Sequence, residues 1–121
     1  MTLKDKLYTV DGFDAGSQTF TVRLNADDTI YKAHFPERPV TPGVCIIAVA
    51  TELLENLLDR HIELTEVVNA KYLSVIDPIA TPVVCYSFRK ITEIEHGCKV
   101  SVEVHFAGTV YTKLSVAYRY R

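Results

Sequence analysis

The sequence has no apolar run long enough to cross a bilayer, no surplus of positive charge, and too few cysteines for a disulfide framework. Its longest apolar stretch, Val44 to Ala50, falls far short of the roughly 20 residues a membrane helix needs, so no membrane insertion is expected. Thirteen Lys and Arg stand against fifteen Asp and Glu. That balance supplies no field to gather phosphates, and nucleic acid is not an expected partner. Cys45, Cys85 and Cys98 are odd in number and share no Cys-x-x-Cys spacing, which suggests neither a disulfide framework nor a zinc site. His61, His96 and His105 show no shared ligand spacing either, and no metal or cofactor is expected. The first eleven residues, Met1 to Asp11, alternate polar and apolar side chains and lack the apolar core of a secretory signal. The expected location is cytoplasmic. No internal repeat, linker or low-complexity stretch interrupts the chain.

What is present fits one folded domain, residues 1–121. Hydrophobic residues make up 48% and charged residues 23%, the balance of a globular protein rather than a disordered one. Phe20, Val22 and Leu24 alternate with Thr19, Thr21 and Arg23, the two-residue period of a half-buried strand. Leu7 to Val10 is a second strand candidate, with Asp11 to Gly16 as the connecting hairpin. From Thr41 the period changes. Thr41 is a candidate cap, Pro42 suits a first helical position, and Val44, Ile47, Leu54 and Leu58 predict a helix of four to five turns. Ile46, Val49, Ala50, Leu53 and Leu57 widen its apolar surface, so burial on most sides is expected. Four extended runs follow: Val67 to Ile76, Val83 to Ile94, Lys99 to Phe106 and Val110 to Tyr120, with His96-Gly97 and Ala107-Gly108 as hairpin turns.

Two strands, one apolar helix and four more strands predict an α+β hotdog fold, a curved antiparallel sheet wrapped around one long buried helix. The stretch with the most chemical content lies just before that helix: His34-Phe35-Pro36-Glu37-Arg38-Pro39-Val40-Thr41-Pro42-Gly43-Val44. Three prolines fix three φ angles and stiffen the loop that carries His34. Gly43 falls in the first helical turn, where amide hydrogens lack intrahelical acceptors and the dipole is positive, a place suited to an oxyanion.

This stretch resembles the His-Phe-Pro-Gly-x-Pro-x-x-Pro-Gly-Val motif of the hotdog 3-hydroxyacyl-acyl-carrier-protein dehydratases, with its spacing kept throughout. Asn69-Ala70-Lys71-Tyr72-Leu73 and Val75 to Thr81 are similar in pattern to the strand and turn that follow in that family. The resemblance implies that His34 removes the C2 proton of an acyl thioester and that the Gly43 amide polarises its carbonyl. An acid on the helix then handles the C3 hydroxyl, because hydroxide leaves poorly unless protonated. That acid belongs five residues after the motif glycine, where this chain has Ala48. Glu52, one turn further and about 5.4 Å along the axis, is the remaining acidic candidate. Glu37 replaces a motif glycine and reads as a loop charge. Phe35, Arg38, Pro42 and Val44 are the candidate substrate contacts.

The bland alternatives are specific. Cys45 lies where the helix dipole would lower a thiol pKa, yet a small packing residue is the commoner role. Lys32, Arg38, Lys71, Arg89, Lys90, Arg119 and Arg121 read as solvated charges or as a patch for an acidic carrier protein or coenzyme A. Tyr72, Phe88, Phe106, Tyr111, Tyr118 and Tyr120 read as strand packing. Three functions stay open: a 3-hydroxyacyl-thioester dehydratase-like lyase of fatty-acid or polyene-type lipid synthesis, a catalytically degenerate acyl-binding subunit paired with an active relative, and a thioesterase. The resemblance implies an acyl carrier protein or coenzyme A thioester as partner. It also implies a homodimer or higher oligomer, with a heterodimer of related subunits as the alternative.

Overall fold

The computed structural model describes residues 2–33 and 37–121. Its elements in chain order are β1 (Tyr8–Asp14), β2 (Thr19–Leu24), α1 (Thr29–Ala33), α2 (Gly43–Leu58), β3 (Ile62–Tyr72), β4 (Val83–Ile94), β5 (Gly97–Phe106) and β6 (Thr109–Tyr120). The strands form one antiparallel sheet in the order β1-β2-β4-β5-β6-β3. Val22, Val84, Val100, Val104 and Val116 from the sheet share one core with Ala50, Leu53 and Leu54 of α2, all at most 1% exposed. Removing side chains of this size from water is worth roughly 1.5–3 kcal/mol each, which holds the sheet on the helix. This is the hotdog fold expected from the order of periods.

Several boundaries differ from the sequence reading, each for a local reason. The first hairpin turns after Asp14 rather than over Asp11 to Gly16. There the Asp14 carboxylate accepts from the Ser17 hydroxyl at 2.6 Å and the Gly16 amide at 3.3 Å. Gly12 sits inside β1, at a register shift between Val10 and Gly12. The β4–β5 turn centres on Glu95 and His96, with His96 at φ 59°. Gly97 is needed one residue later, because a Cβ there would lie 1.9 Å from the Tyr118 carbonyl oxygen. Ala107-Gly108 does form its turn, both residues at positive φ. The short α1 was not expected at all; it opens after an Asx turn in which the Asp28 carboxylate accepts from the Ile30 amide at 2.9 Å.

The largest shift concerns β3, expected over Val67 to Ile76 but running from Ile62 to Tyr72. Asp59 ends α2 in a left-handed conformation, φ 53°, and the strand pairs from Ile62 opposite Tyr120 onward. Two irregularities, between Leu64 and Glu66 and between Val67 and Asn69, break the two-residue period that would have marked it. Beyond Tyr72 the chain leaves the ladder, and the amides of Leu73 and Ser74 both donate to the Tyr111 carbonyl. β3 is an edge strand whose outer side pairs with no strand among the described residues.

Burial of α2 on most sides, expected from its composition, does not hold. Cys45, Ile46, Val49, Ala50, Leu53 and Leu54 are buried against the sheet. On the other side Val44 is 76% exposed, and Ile47, Ala48 and Thr51 are only partly covered. A single sheet curls around one side of a helix, and the described residues leave the other side partly open.

Candidate active site

Among the described residues, the first two amides of α2 find no acceptor. Pro42 is the N-cap residue, not the first helical one, and no side chain caps the helix. Thr41, the cap expected from sequence, is engaged elsewhere. Its hydroxyl donates to the Ile76 carbonyl at 3.0 Å and shares a 3.0 Å bond with the Tyr31 hydroxyl, while its amide donates to the same Ile76 carbonyl at 2.9 Å. These bonds fasten the proline loop to the segment after β3. Burial pushes Tyr31 up to about 12, so it stays a neutral hydrogen-bonding partner. The first bonds of the helical ladder run from the Cys45 and Ile46 amides to the Pro42 carbonyl at 2.9 and 3.1 Å. The Gly43 and Val44 amides precede that ladder, and the first turn holds no acidic residue. A helix start whose first N–H groups lie ahead of the ladder and whose first turn holds no carboxylate suits a developing oxyanion.

Two cavities of about 310 Å³ each adjoin this turn. One is lined by Val40, Thr41, Ile46, Tyr72 and Leu73 through Ile76. The other lies along the open side of α2, between Val44, Ile47, Ala48, Thr51, Glu52, Glu55 and Leu64. Ala48, at the position where the resemblance implies an acid, therefore lines a cavity, and its methyl group offers no proton.

Glu52 lines the same cavity but is otherwise committed. One carboxylate oxygen accepts from the Leu3 amide at 2.7 Å; the other accepts from the Lys4 amide at 3.0 Å and the Tyr8 hydroxyl at 3.0 Å. The carboxylate fastens the N-terminal segment to α2. Burial, followed by the neighbouring Glu52 charge, pushes the Tyr8 hydroxyl upward and keeps it a donor. Glu52, expected as the remaining acidic candidate, lines the cavity with its carboxylate already engaged by three donors of the N-terminal segment.

Of the other expected site residues, Val44 lines the second cavity and Pro42 shapes the helix start. Arg38 is exposed in the loop. His34 and Phe35 lie outside the described residues. The activated-thiol reading of Cys45 is not supported: the residue is 6% exposed, and burial, with Asp28 acting in the same sense, raises its thiol above the ordinary value. His105 is not simply solvated either. Its Nε2 bonds the buried Ser87 hydroxyl at 2.7 Å, and burial, aided by Arg89, lowers its pKa. Among the described residues no three His, Cys, Asp or Glu side chains gather as a metal would need. No helix there is long and apolar enough to cross a membrane.

Sequence reasoning read Tyr72 and Tyr118 as strand packing but missed the hydroxyl contacts of the tyrosines with α2 and its loop. Tyr8, Tyr31, Tyr86 and Tyr118 are all nearly fully buried, and each directs its hydroxyl to α2 or the loop before it. Tyr86 donates to the Ile46 carbonyl at 3.4 Å, and Tyr118 bonds Thr51 at 2.9 Å. Tyr72, half exposed, brings its ring tip against Gly43: a Cβ built on Gly43 would lie 2.6 Å from the Tyr72 hydroxyl oxygen. The signal available in advance was the number of tyrosines, seven in all, each with a polar tip that needs a partner when buried.

Residues 12–109 match the ApeI-like family, described as ApeI dehydratase. The chain belongs to that family. No curated protein matches it by sequence. Among solved structures it is similar to a chain of the dehydratase heterocomplex ApeI:P from Xenorhabdus doucetiae. The identity there is 15% and the TM-score 0.63, over 93% of this chain and 97% of that one. A phenylacetic acid degradation-related protein from Ralstonia eutropha matches at 13% identity and TM-score 0.62, over 93% and 83%. A mutant thioesterase from Pseudomonas aeruginosa matches at 17% and 0.59, over 94% and 82%. At these identities the structural likeness establishes the hotdog fold; the family match adds the dehydratase lineage of this ApeI-like chain.

Proposed function

We propose that this ApeI-like chain supplies the base and the oxyanion site of a 3-hydroxyacyl-thioester dehydratase, and that a second hotdog chain supplies the acid. The observation that carries the reading is the start of α2, directly after the His34 loop, where the Gly43 and Val44 amides have no acceptor among the described residues and Val44 lines a cavity. His34 takes the C2 proton, and the Gly43 amide stabilises the enolate-like oxygen of the thioester. The C3–O bond then breaks as the hydroxyl takes a proton from an acid. Ala48 has none to give and Glu52 is held by Leu3, Lys4 and Tyr8, so the donor comes from across the open face of α2. That face, with Val44 and the edge strand β3, fits a second chain. The similarity to a dehydratase heterocomplex supports a related acid-bearing subunit there over a second copy. The substrate is an acyl group on a carrier protein or coenzyme A, in fatty-acid or polyene-type lipid synthesis.

A second reading is favoured by Ala48 itself: this chain only binds acyl groups, and its partner holds a complete site. One experiment separates the two. The chain, mixed with an acid-bearing hotdog relative, is given a 3-hydroxyacyl carrier protein and the enoyl product is followed by mass spectrometry, with wild-type His34 and with His34→Ala. Loss of about 10²–10⁴-fold in rate with His34→Ala is expected for an acid–base residue. Undiminished turnover makes this chain the binding subunit. No enoyl product from the wild-type mixture, nor from the chain alone, overturns the dehydratase reading.

A further inference from the structure

We infer that Tyr72 is the second donor of the oxyanion site, its hydroxyl sharing the thioester carbonyl oxygen with the Gly43 amide. The inference rests on the reading above and names a residue for it. Tyr72 ends β3, opposite Thr112 of β6, on the last paired position before the chain leaves the sheet. From there its ring reaches the first turn of α2. The site for a Cβ on Gly43 is 2.6 Å from the hydroxyl oxygen, 2.7 Å from Cζ and 3.1 Å from Cε1. A Cβ at position 43 would push this ring tip away, so the glycine is what lets the phenol approach the first turn so closely. The Gly43 φ is not in the left-handed region, so backbone freedom does not explain the glycine; the approach of Tyr72 does.

Tyr72 borders a cavity beside the first turn of α2, with Val40, Thr41 and Ile46. An oxygen within about 3 Å of the Gly43 N–H is then within reach of the phenol as well, and two donors on one oxyanion is the arrangement that acyl chemistry uses. A role for Tyr72 as the missing acid fits less well. Position 48 is five residues further along the helix, about 7.5 Å at 1.5 Å per residue, whereas Tyr72 lies level with Gly43. No proton is transferred in this role: the phenol keeps its hydrogen and only donates a hydrogen bond that strengthens as the carbonyl becomes an enolate.

The test pairs Tyr72→Phe with Gly43→Ala. Removing one oxyanion donor is expected to lower kcat of the mixture by roughly 10–10³-fold with KM little changed. Tyr72→Phe keeps the ring and removes only the hydroxyl of a half-exposed residue, so its melting temperature should match the wild type. Gly43→Ala puts a methyl group where the phenol tip lies, so it should give a similar loss, and the double variant should lose no more than the worse single one. A readout without turnover is the ¹³C carbonyl resonance of crotonyl-N-acetylcysteamine thioester. Wild-type protein should move it downfield on binding, and Tyr72→Phe should abolish most of that movement. If Tyr72→Phe leaves both kcat and the carbonyl shift unchanged, the inference is wrong while the His34 reading stands. If the wild-type mixture makes no enoyl product, that reading fails, and the carbonyl shift still decides whether Tyr72 polarises a bound thioester.

Discussion

The two sides of α2 have similar sequences and opposite surroundings. Toward the sheet, Ile46, Val49, Ala50, Leu53 and Leu54 are at most 3% exposed. Away from it, Val44 is largely exposed, Ile47 and Ala48 are partly so, and a cavity runs along them to Glu52 and Leu64. An apolar residue on the first side holds the fold together. One on the second side contributes little to the packing of this chain and is left available for a second chain, as proposed above. The same contrast runs through the sheet: β4, β5 and β6 bury their inward rows, while edge strand β3 exposes Leu64, Val67, Val68 and Tyr72.

The sharpest way to break the comparison is to shorten a side chain on the sheet-facing side. Leu53→Ala should cost about 2–5 kcal/mol, because a cavity is left as well as a transfer energy lost. For a domain of this size that lowers the melting temperature by roughly 10 °C or more. A change of a degree or two by calorimetry would mean the two sides are not distinct after all.

Glu52 stands where the two sides meet and should show the next largest effect. Glu52→Ala removes a charged acceptor from two amides and a phenol, a loss of about 1–3 kcal/mol, and should strip hydrogen-exchange protection from Leu3 and Lys4. If protection at those amides is unchanged while enoyl formation disappears, Glu52 belongs to the chemistry and not to the N-terminal fastening.

A smaller effect comes from the outer face of the sheet, remote from α2. Burial holds His105 below its ordinary value, so the folded chain binds that proton more weakly than the unfolded one. Above about pH 6.5 both states are neutral at this residue and its contribution is fully present. As the pH falls through the folded value the contribution is lost. Melting temperatures of the wild type should therefore decline more steeply below pH 6.5 than those of His105→Gln; parallel curves would show that His105 is not linked to folding.

How far these features were legible in the sequence follows from how local each one is. The strands Thr19 to Leu24 and Val83 to Ile94 were read to the residue, since their ends are set by turns next to them. The helix was read within two residues, but not its N-cap, because whether Thr41 caps α2 or bonds Ile76 depends on a segment 35 residues away. The bulges of β3 hid its period in the same way. At the site, the Gly43 turn was legible from the prolines and glycine around it. The engagement of Glu52 by Leu3, Lys4 and Tyr8 was not, since those partners lie more than 40 residues off, and neither was the approach of Tyr72 to Gly43. Long-range hydrogen bonds leave no trace in a local pattern.

The account stands on the open side of α2 being covered by a second chain. Sedimentation velocity on the wild type and on Val44→Lys, each alone and with an acid-bearing hotdog relative, tests this most directly. The wild type should run as a particle of at least two chains in one of these conditions, and Val44→Lys, with an unchanged melting curve for the separated chain, as a single chain in both. A wild type that sediments as one chain alone and with the relative, or a lysine variant that assembles as well as the wild type, would contradict it.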